Sequence, residues 1–388
     1  MSERYEKELK FVTEHRRYLH QHPELSLKEY KTTEYIIAVL EEIGIPSCRV
    51  LDTGVVAYLE GNSKTTLGFR ADIDGLPVHE QNDVEYKSRV DNVMHACGHD
   101  GHTTALLLFA QRAKALADKG ELKHNSVFIF QPSEEANAGA NLMINAWNNR
   151  PDFAAIFGVH LMPDEDEGLV LYRDDELTAS ATEFHFTVTG SSAHVAQKHQ
   201  GVSALEAILK IALEVGNIQQ FHLDGLNRNI IHMGQLSSGE AVNTVPANAA
   251  LRGTIRTYEA SDLAVIKAQL TKIKEAAELL YGASVELNYT EGYPAVKNNP
   301  ELKEMVESSI QDAGLRGIEK DKPYLFGEDF SFYSNIAKTY FVFAGARNLE
   351  KGFASSLHTD TFNFDERVLI KVADYYEALL NNYMSGRE

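Results

Sequence analysis

Residues 126–135, Ser-Val-Phe-Ile-Phe-Gln-Pro-Ser-Glu-Glu, decide the fold. The first five are an almost continuous apolar run, the pattern of a strand buried on both faces, and they lead directly into two adjacent carboxylates. The arrangement recurs along the chain. Thr66 to Asp72 is largely apolar until it reaches Asp72 and Asp74, Ala154 to Val159 delivers His160, and Tyr340 to Ala344 is a further apolar strand. Helical patterns lie between them, at 103–118 and 139–149. Two amphipathic helices over 4–21 and 28–43 and a strand from Val50 to Leu59 come before, and helices near 300–313 and 366–384 come after. This order predicts an α/β domain, a mostly parallel sheet with helices on both faces. Ligands collect at the carboxyl ends of such strands, where Asp72, Glu134, Glu135 and His160 are all expected.

A second unit interrupts this pattern. Thr182 to Thr189, Asn229 to Leu236, Asn248 to Tyr258 and Ser284 to Tyr289 read as strands, with helices over Val202 to Gln220 and Ser261 to Tyr281. The order β, α, β, β, α, β predicts a ferredoxin-like α+β unit over 182–294, inserted into a host domain formed by 1–181 and 295–388.

Composition narrows the function. In 388 residues, 56 Asp plus Glu against 37 Lys plus Arg give a net charge of -19. Such a field repels phosphate backbones and anionic lipid, which argues against a nucleic-acid or membrane-surface partner. The first ten residues are charged, and no apolar run approaches the length of a membrane span, so a cytoplasmic protein is expected. Only Cys48 and Cys97 are present. Two cysteines exclude a disulfide scaffold and any zinc site built from paired CxxC motifs.

The densest chemistry lies at 94–102, Met-His-Ala-Cys-Gly-His-Asp-Gly-His. His95, Cys97 and His99 alternate, so an extended backbone would place all three on one side, while glycines allow the chain to bend around an ion. Cys97 and His99 are read as ligands, and His95, Asp100 and His102 as supporting or helix-start residues. Glu134 and Glu135 follow a buried strand on a short loop, where neighbours point in different directions. One can coordinate an ion while the other takes a proton from the attacking water, which is the requirement of metal-assisted hydrolysis. A dinuclear site needs more ligands than Cys97, His99, Glu135 and His160, and His358 is a candidate fifth. Asp72 is the candidate acid that orients a ligating imidazole. His194, at the end of a strand, and Asn243, between two strands, are residue types that donate hydrogen bonds to an oxyanion or a carboxylate, and Arg256 could hold a carboxylate bidentately. His15, His20 and His22, near helix ends, are expected to be solvated or capping.

At this point the chain resembles a known family. Arg-Arg-Tyr-Leu-His-Gln-His-Pro-Glu-Leu (16–25), Phe-Arg-Ala-Asp-Ile-Asp-Gly-Leu-Pro (69–77), the 94–102 run, Gln-Pro-Ser-Glu-Glu (131–135), Gly-Val-His-Leu-Met-Pro (158–163) and Ser-Leu-His-Thr-Asp-Thr-Phe (356–362) are similar, in order, to the metallo-aminoacylases and carboxypeptidases. The branch resembled is that of N-acyl-amino-acid amidohydrolases, hippurate hydrolases and auxin-conjugate hydrolases. The resemblance implies a catalytic domain with two divalent ions and a lid domain that often makes a dimer. It implies Cys97, His99, Glu135, His160 and His358 as ligands, Glu134 as general base, and His194 and Asn243 as substrate-binding residues of the lid. Lys198 stands where the branch has proline, and Ser203 where it has an acid. The implied reaction is hydrolysis of an N-acyl amino acid, or of a dipeptide, to release a free amino acid. A binding protein that uses the same ligands without catalysis is the competing class, but a closed structural site would have no use for Glu134 beside Glu135. For the ion, thiolate and imidazole favour zinc, and the resemblance together with the carboxylates favours manganese.

Overall fold

A computed structural model describes residues 3–290 and 292–384, which divide into two compact units. The first comprises Met1–Leu177, Lys297–Pro323 and Asp329–Glu388, and the second Thr178–Val296 and Tyr324–Glu328. The excursion thus starts four residues before the expected 182 and closes after the expected 294, and it takes a short return segment at 324–328.

The first unit is built on an eight-stranded sheet. From one edge its strands are Ser47–Val50, Gly54–Leu59, Asn125–Gln131, Thr66–Asp72, Ala155–Asp166, Lys338–Arg347, Leu169–Tyr172 and Arg316–Glu319. The central pairings, Thr66–Asp72 with Asn125–Gln131 and with Ala155–Asp166, and Ala155–Asp166 with Lys338–Arg347, are all parallel. Every residue of Thr66–Asp72 is buried, so both faces of that strand are covered, as the continuous apolar run requires. Gly68 is needed there, because a Cβ would come within 2.9 Å of Ile156. Phe69 meets Phe109 and Tyr376 edge-on, at 4.7 and 5.6 Å between ring centroids, which locks the helices His99–Asp118 and Arg367–Asn382 to the sheet.

Several boundaries differ from expectation. Val50 to Leu59 is not one strand: Leu51, at φ 62°, opens a turn, and Ser47–Val50 pairs antiparallel with Gly54–Leu59. His160 lies inside the strand Ala155–Asp166 and not at its end. Pairing with Thr66–Asp72 stops at Gly158 while pairing with Lys338–Arg347 continues, so His160 stands just past the point where the sheet loses a neighbour on one side. The 94–102 run is not extended. It is a turn that enters a helix at His99, four residues earlier than expected. His20 is not solvated either: it is fully buried, with Nδ1 2.7 Å from Asp100 and Nε2 3.0 Å from Glu80. Its neighbour Arg16, one turn away on the helix Glu3–Gln21, also binds Asp100, at 3.0 Å. His22 does cap, with Nδ1 2.7 Å from the Tyr18 carbonyl.

The second unit is a four-stranded antiparallel sheet in the order Ser284–Tyr289, Ser180–Thr189, Asn248–Thr257, Asn229–Ser238. The helices Ala204–His222 and Ala260–Tyr281 pack on the alternate residues Phe184, Phe186, Val188, Leu251 and Ile255. This is the ferredoxin-like arrangement.

Candidate metal centre

Side chains from four separate segments of the first unit meet. Gly98, at φ 85°, turns the chain out of the Cys97 loop and into the helix that starts at His99. One ligand atom each from Cys97, His99 and His160 lie within 4.8 Å of one another, as do those of Cys97, Glu135 and His358, and those of His99, Glu134 and Glu135. The sequence-expected ligands are therefore brought together. Cys97 Sγ is 3.3 Å from His160 Nε2, and His358 Nε2 is 3.3 Å from Glu135 Oε1.

Hydrogen bonds assign the imidazole tautomers. His99 Nδ1 donates to Asp74, to the carbonyl at 3.0 Å and to Oδ1 at 3.2 Å, which leaves Nε2 as the nitrogen available to an ion once its proton is displaced. His160 Nδ1 donates to the Leu161 carbonyl at 2.7 Å, leaving Nε2 toward Cys97. His102 is engaged at both nitrogens: Nδ1 donates to Asp72 at 2.6 Å, and Nε2 accepts from Leu161 N at 2.9 Å. His102 thus braces the strand that carries His160 and has no lone pair left for an ion. Asp72 orients His102, and its Oδ2 lies 3.6 Å from His99 Nε2, whereas the acid that holds the His99 ring is Asp74. His95 joins none of these groups; it is buried, with neither nitrogen hydrogen-bonded among the described residues.

The donor set fits divalent cations. His99 Nε2 and Glu135 Oε1 are buried and take part in no hydrogen bond among the described residues. Burial pushes the Cys97 thiol well above its ordinary 9.0, and the charges of Glu135, Glu134 and Asp72 add to it. Burial lowers the His99 imidazole, but Asp72 and Asp74 outweigh it and bring the ring to about 10. A buried thiol, three imidazoles and a carboxylate, crowded by further carboxylates, are the N, S and O donors of a cation site.

Glu134 and Glu135 sit on an irregular loop and not at a helix start, since the following helix begins only at Gly139. The loop is bent by left-handed residues, Ser133 at φ 58°, Asn137 at 67° and Ala138 at 52°. Gly139 is obligatory, because a Cβ would stand 1.7 Å from the Pro132 carbonyl. Glu134 Oε1 accepts from Asp329 N at 3.4 Å. Asp329 is itself fixed by Arg70 at 2.9 Å, Gln131 at 2.8 Å and Ala140 N at 2.9 Å. Arg70 is fully buried and also binds Asp72, at 2.8 Å, so one guanidinium connects the carboxylates behind His102 and behind Glu134. Arg70 and Asp329 carry no local signal in the sequence of the part they play here, and Asp74 carries only that of the second acid of Asp72-Ile-Asp74.

In the second unit, Val195 N donates to the Asn243 carbonyl at 3.0 Å, and His194 pairs with Thr244, so His194 and Asn243 are neighbours on joined loops. Lys198 falls in the short turn Val195–Gln200. Ser203 does the work of a helix-capping acid, accepting from Glu206 N at 3.3 Å. Arg256 is partly buried near the end of its strand and makes no hydrogen bond or ion pair among the described residues. Burial lowers its pKa, with Glu183 opposing.

Comparison with known proteins is consistent across the chain. The peptidase family M20/M25/M40 matches residues 68–382. An uncharacterized hydrolase of Staphylococcus saprophyticus is 57% identical over 97% of this chain and 98% of its own length. One of Staphylococcus epidermidis is 56% identical over 97% and 99%. Among solved structures, the YXEP protein of Bacillus subtilis, described as a dinuclear metal-binding peptidase of the M20 family, is 29% identical with a TM-score of 0.81, covering 97% of this chain and 98% of that one. An aminobenzoyl-glutamate utilization protein of Klebsiella pneumoniae shares the fold at 20% identity, with a TM-score of 0.73 and coverage of 98% and 97%. Family match, fold and the assembled donor set agree: the chain belongs to peptidase family M20/M25/M40 and is a metal-dependent hydrolase.

Proposed function

We propose that this hydrolase cleaves the amide bond of N-acyl amino acids and releases the free amino acid, with Cys97, His99, Glu135, His160 and His358 holding two divalent ions. The observation that carries the reading is the convergence of these donors, with His99 Nε2 buried and without a hydrogen bond among the described residues and Glu135 Oε1 facing His358 Nε2 at 3.3 Å, beside a second carboxylate, Glu134, that the ions do not need. When bound, the ions supply Lewis-acid polarisation of the scissile carbonyl and bring the pKa of a water to about 7. Glu134 accepts the proton of the attacking water and returns it to the leaving nitrogen, and the Asp329 N–H keeps its carboxylate turned for this task. Arg256 is the proposed anchor of the substrate carboxylate, since its partly buried guanidinium makes no hydrogen bond or ion pair among the described residues and feels only Glu183 and Tyr293 nearby, which leaves its N–H groups open to an external carboxylate. His194 and Asn243 are the proposed donors to the oxyanion or the carboxylate. The acylamino-acid substrate is supported by the six runs shared with that branch, and manganese by those runs and the surrounding carboxylates, with zinc as the alternative.

We further propose a homodimer formed through the second unit. Asn229–Ser238 is an edge strand with Ile230, Met233 and Leu236 exposed, and the helix Ala204–His222 exposes Leu209, Leu213 and Phe221. An uncovered apolar edge strand invites pairing with a second copy.

A panel of acetyl, benzoyl and aminoacyl conjugates tests the substrate class. Turnover of acetyl or benzoyl amino acids that stops with chelator and returns with manganese supports the proposal. Turnover of dipeptides alone, or none at all with metal bound, rejects it.

A further inference from the structure

Beneath the Glu134–Glu135 loop, three consecutive backbone N–H groups each end on a buried carboxylate. Ser133 N donates to Glu29 Oε1 at 2.9 Å, Glu134 N to Asp74 Oδ1 at 3.2 Å, and Glu135 N to Asp74 Oδ2 at 3.1 Å. Successive amides that converge in this way make a concavity for an anion, and here the chain supplies the anion itself. Asp74 and Glu29 are 1% and 0% exposed, and an ionised carboxylate at such depth is costly unless its oxygens are occupied, as both oxygens of Asp74 are.

Asp74 has further donors. His99 Nδ1 donates to its Oδ1 and to its carbonyl, and Ser26 Oγ donates to Oδ2 at 2.7 Å. Ser26 and Glu29 lie on one connection between the helices Glu3–Gln21 and Tyr30–Ile43. A segment remote in sequence from every ligand therefore props both the loop and the acid behind His99.

We propose that Asp74, braced by Ser26 and Glu29, is a positioning residue that fixes the Glu134–Glu135 loop and the His99 ring against each other. The inference rests on the roles assigned above to Glu134, Glu135 and His99. With their amides directed down onto carboxylates, residues 133–135 are held in place despite the left-handed backbone at Ser133, which a free loop would leave. The two carboxylates differ in what they tolerate. Asp74 faces donors at both oxygens, so Asn at that position opposes one of them with its own NH2 group whichever way its amide is turned. Glu29 Oε2 meets no N–H donor among the described residues, and the Thr53 hydroxyl beside the carboxylate can accept as well as donate, so Gln can keep its oxygen on Ser133 N and place its NH2 on the other side.

The test uses the full chain stripped with chelator, in Asp74→Asn, Glu29→Ala and Glu29→Gln forms alongside wild type. Manganese and zinc are titrated by calorimetry, and amide exchange is followed across 131–139. Asp74→Asn is expected to unfold cooperatively, to bind metal about 10- to 100-fold more weakly, and to exchange at 133–135 at least about tenfold faster. Glu29→Ala is expected to speed exchange at Ser133, and Glu29→Gln to restore it to within about threefold of wild type. Metal affinity and exchange within about twofold of wild type in folded Asp74→Asn overturn the proposal, as does Glu29→Gln that is as impaired as Glu29→Ala. If Asp74→Asn does not fold, the Glu29 pair decides. Wild type that binds neither metal rejects the assigned function and leaves the exchange comparison standing.

Discussion

His358 Nε2 stands 3.3 Å from Glu135 Oε1, and His358 reaches that place with a backbone φ of 63°, in the left-handed region that favours glycine. Its amide is tied to the Ala96 carbonyl at 2.8 Å, so the late loop is fastened to the segment that carries Cys97. Left-handed backbone at a non-glycine residue costs on the order of 1 kcal/mol and persists where function requires the side chain. His358→Gly is therefore expected to leave the melting temperature unchanged or raised while lowering turnover at least about 100-fold. Thermal unfolding and initial rates on the same samples check this; a variant that melts early, or one that retains turnover, contradicts it.

Glu134→Gln keeps an acceptor for the Asp329 N–H but cannot carry a proton. The expected result is a loss of about 100- to 10,000-fold in kcat with metal affinity preserved. Metal binding by calorimetry next to steady-state rates separates the two effects. Near-normal kcat with metal bound rules out Glu134 as the base.

Arg256 makes no ion pair inside the described chain, so its removal should cost little stability. Arg256→Ala is expected to raise KM for acylamino acids by about tenfold or more, and to leave neutral amides of the same acyl group unaffected, as loss of a charge-assisted carboxylate contact dictates. An equal effect on both substrate types would remove Arg256 from carboxylate recognition.

Burial, with the neighbouring Asp74 charge, pushes the Glu29 carboxyl from 4.5 up to about 7. The folded chain then holds a proton that the unfolded chain has released between those two values. Stability accordingly falls as pH rises from 4.5 to about 7, by on the order of 3 kcal/mol in full, and the penalty is constant above that. Glu29→Gln removes this dependence. Urea unfolding of both proteins in chelator should show the variant gaining on wild type as pH rises through the window; a pH-independent difference rejects the shift.

The sequence made the first unit legible because its central strands are buried on both faces and end in reactive residues, as Thr66–Asp72 and Asn125–Gln131 do. The second unit was legible through alternation, Phe184, Phe186 and Val188 against polar neighbours. Ligands were legible where types cluster, at Cys97 and His99. What joins them was not. Glu29, Asp74 and Asp329 act through contacts across dozens to hundreds of residues, and although Arg70 binds Asp72 two residues along its own strand, nothing near it in sequence announces Asp329. The burial of His20 is hidden for the same reason: its partners Glu80 and Asp100 are distant in sequence, and nothing in its own helix announces it.

The central claim is that Cys97, His99, Glu135, His160 and His358 hold two ions that amide hydrolysis requires. The most direct measurement titrates manganese into chelator-stripped wild type and Cys97→Ala while following hydrolysis of an N-acetyl amino acid. Expected are two ions bound per wild-type chain, activity that rises with occupancy, and a folded Cys97→Ala with weakened binding and little turnover. Full hydrolysis in the presence of chelator, or wild-type stoichiometry and rate in Cys97→Ala, would contradict it.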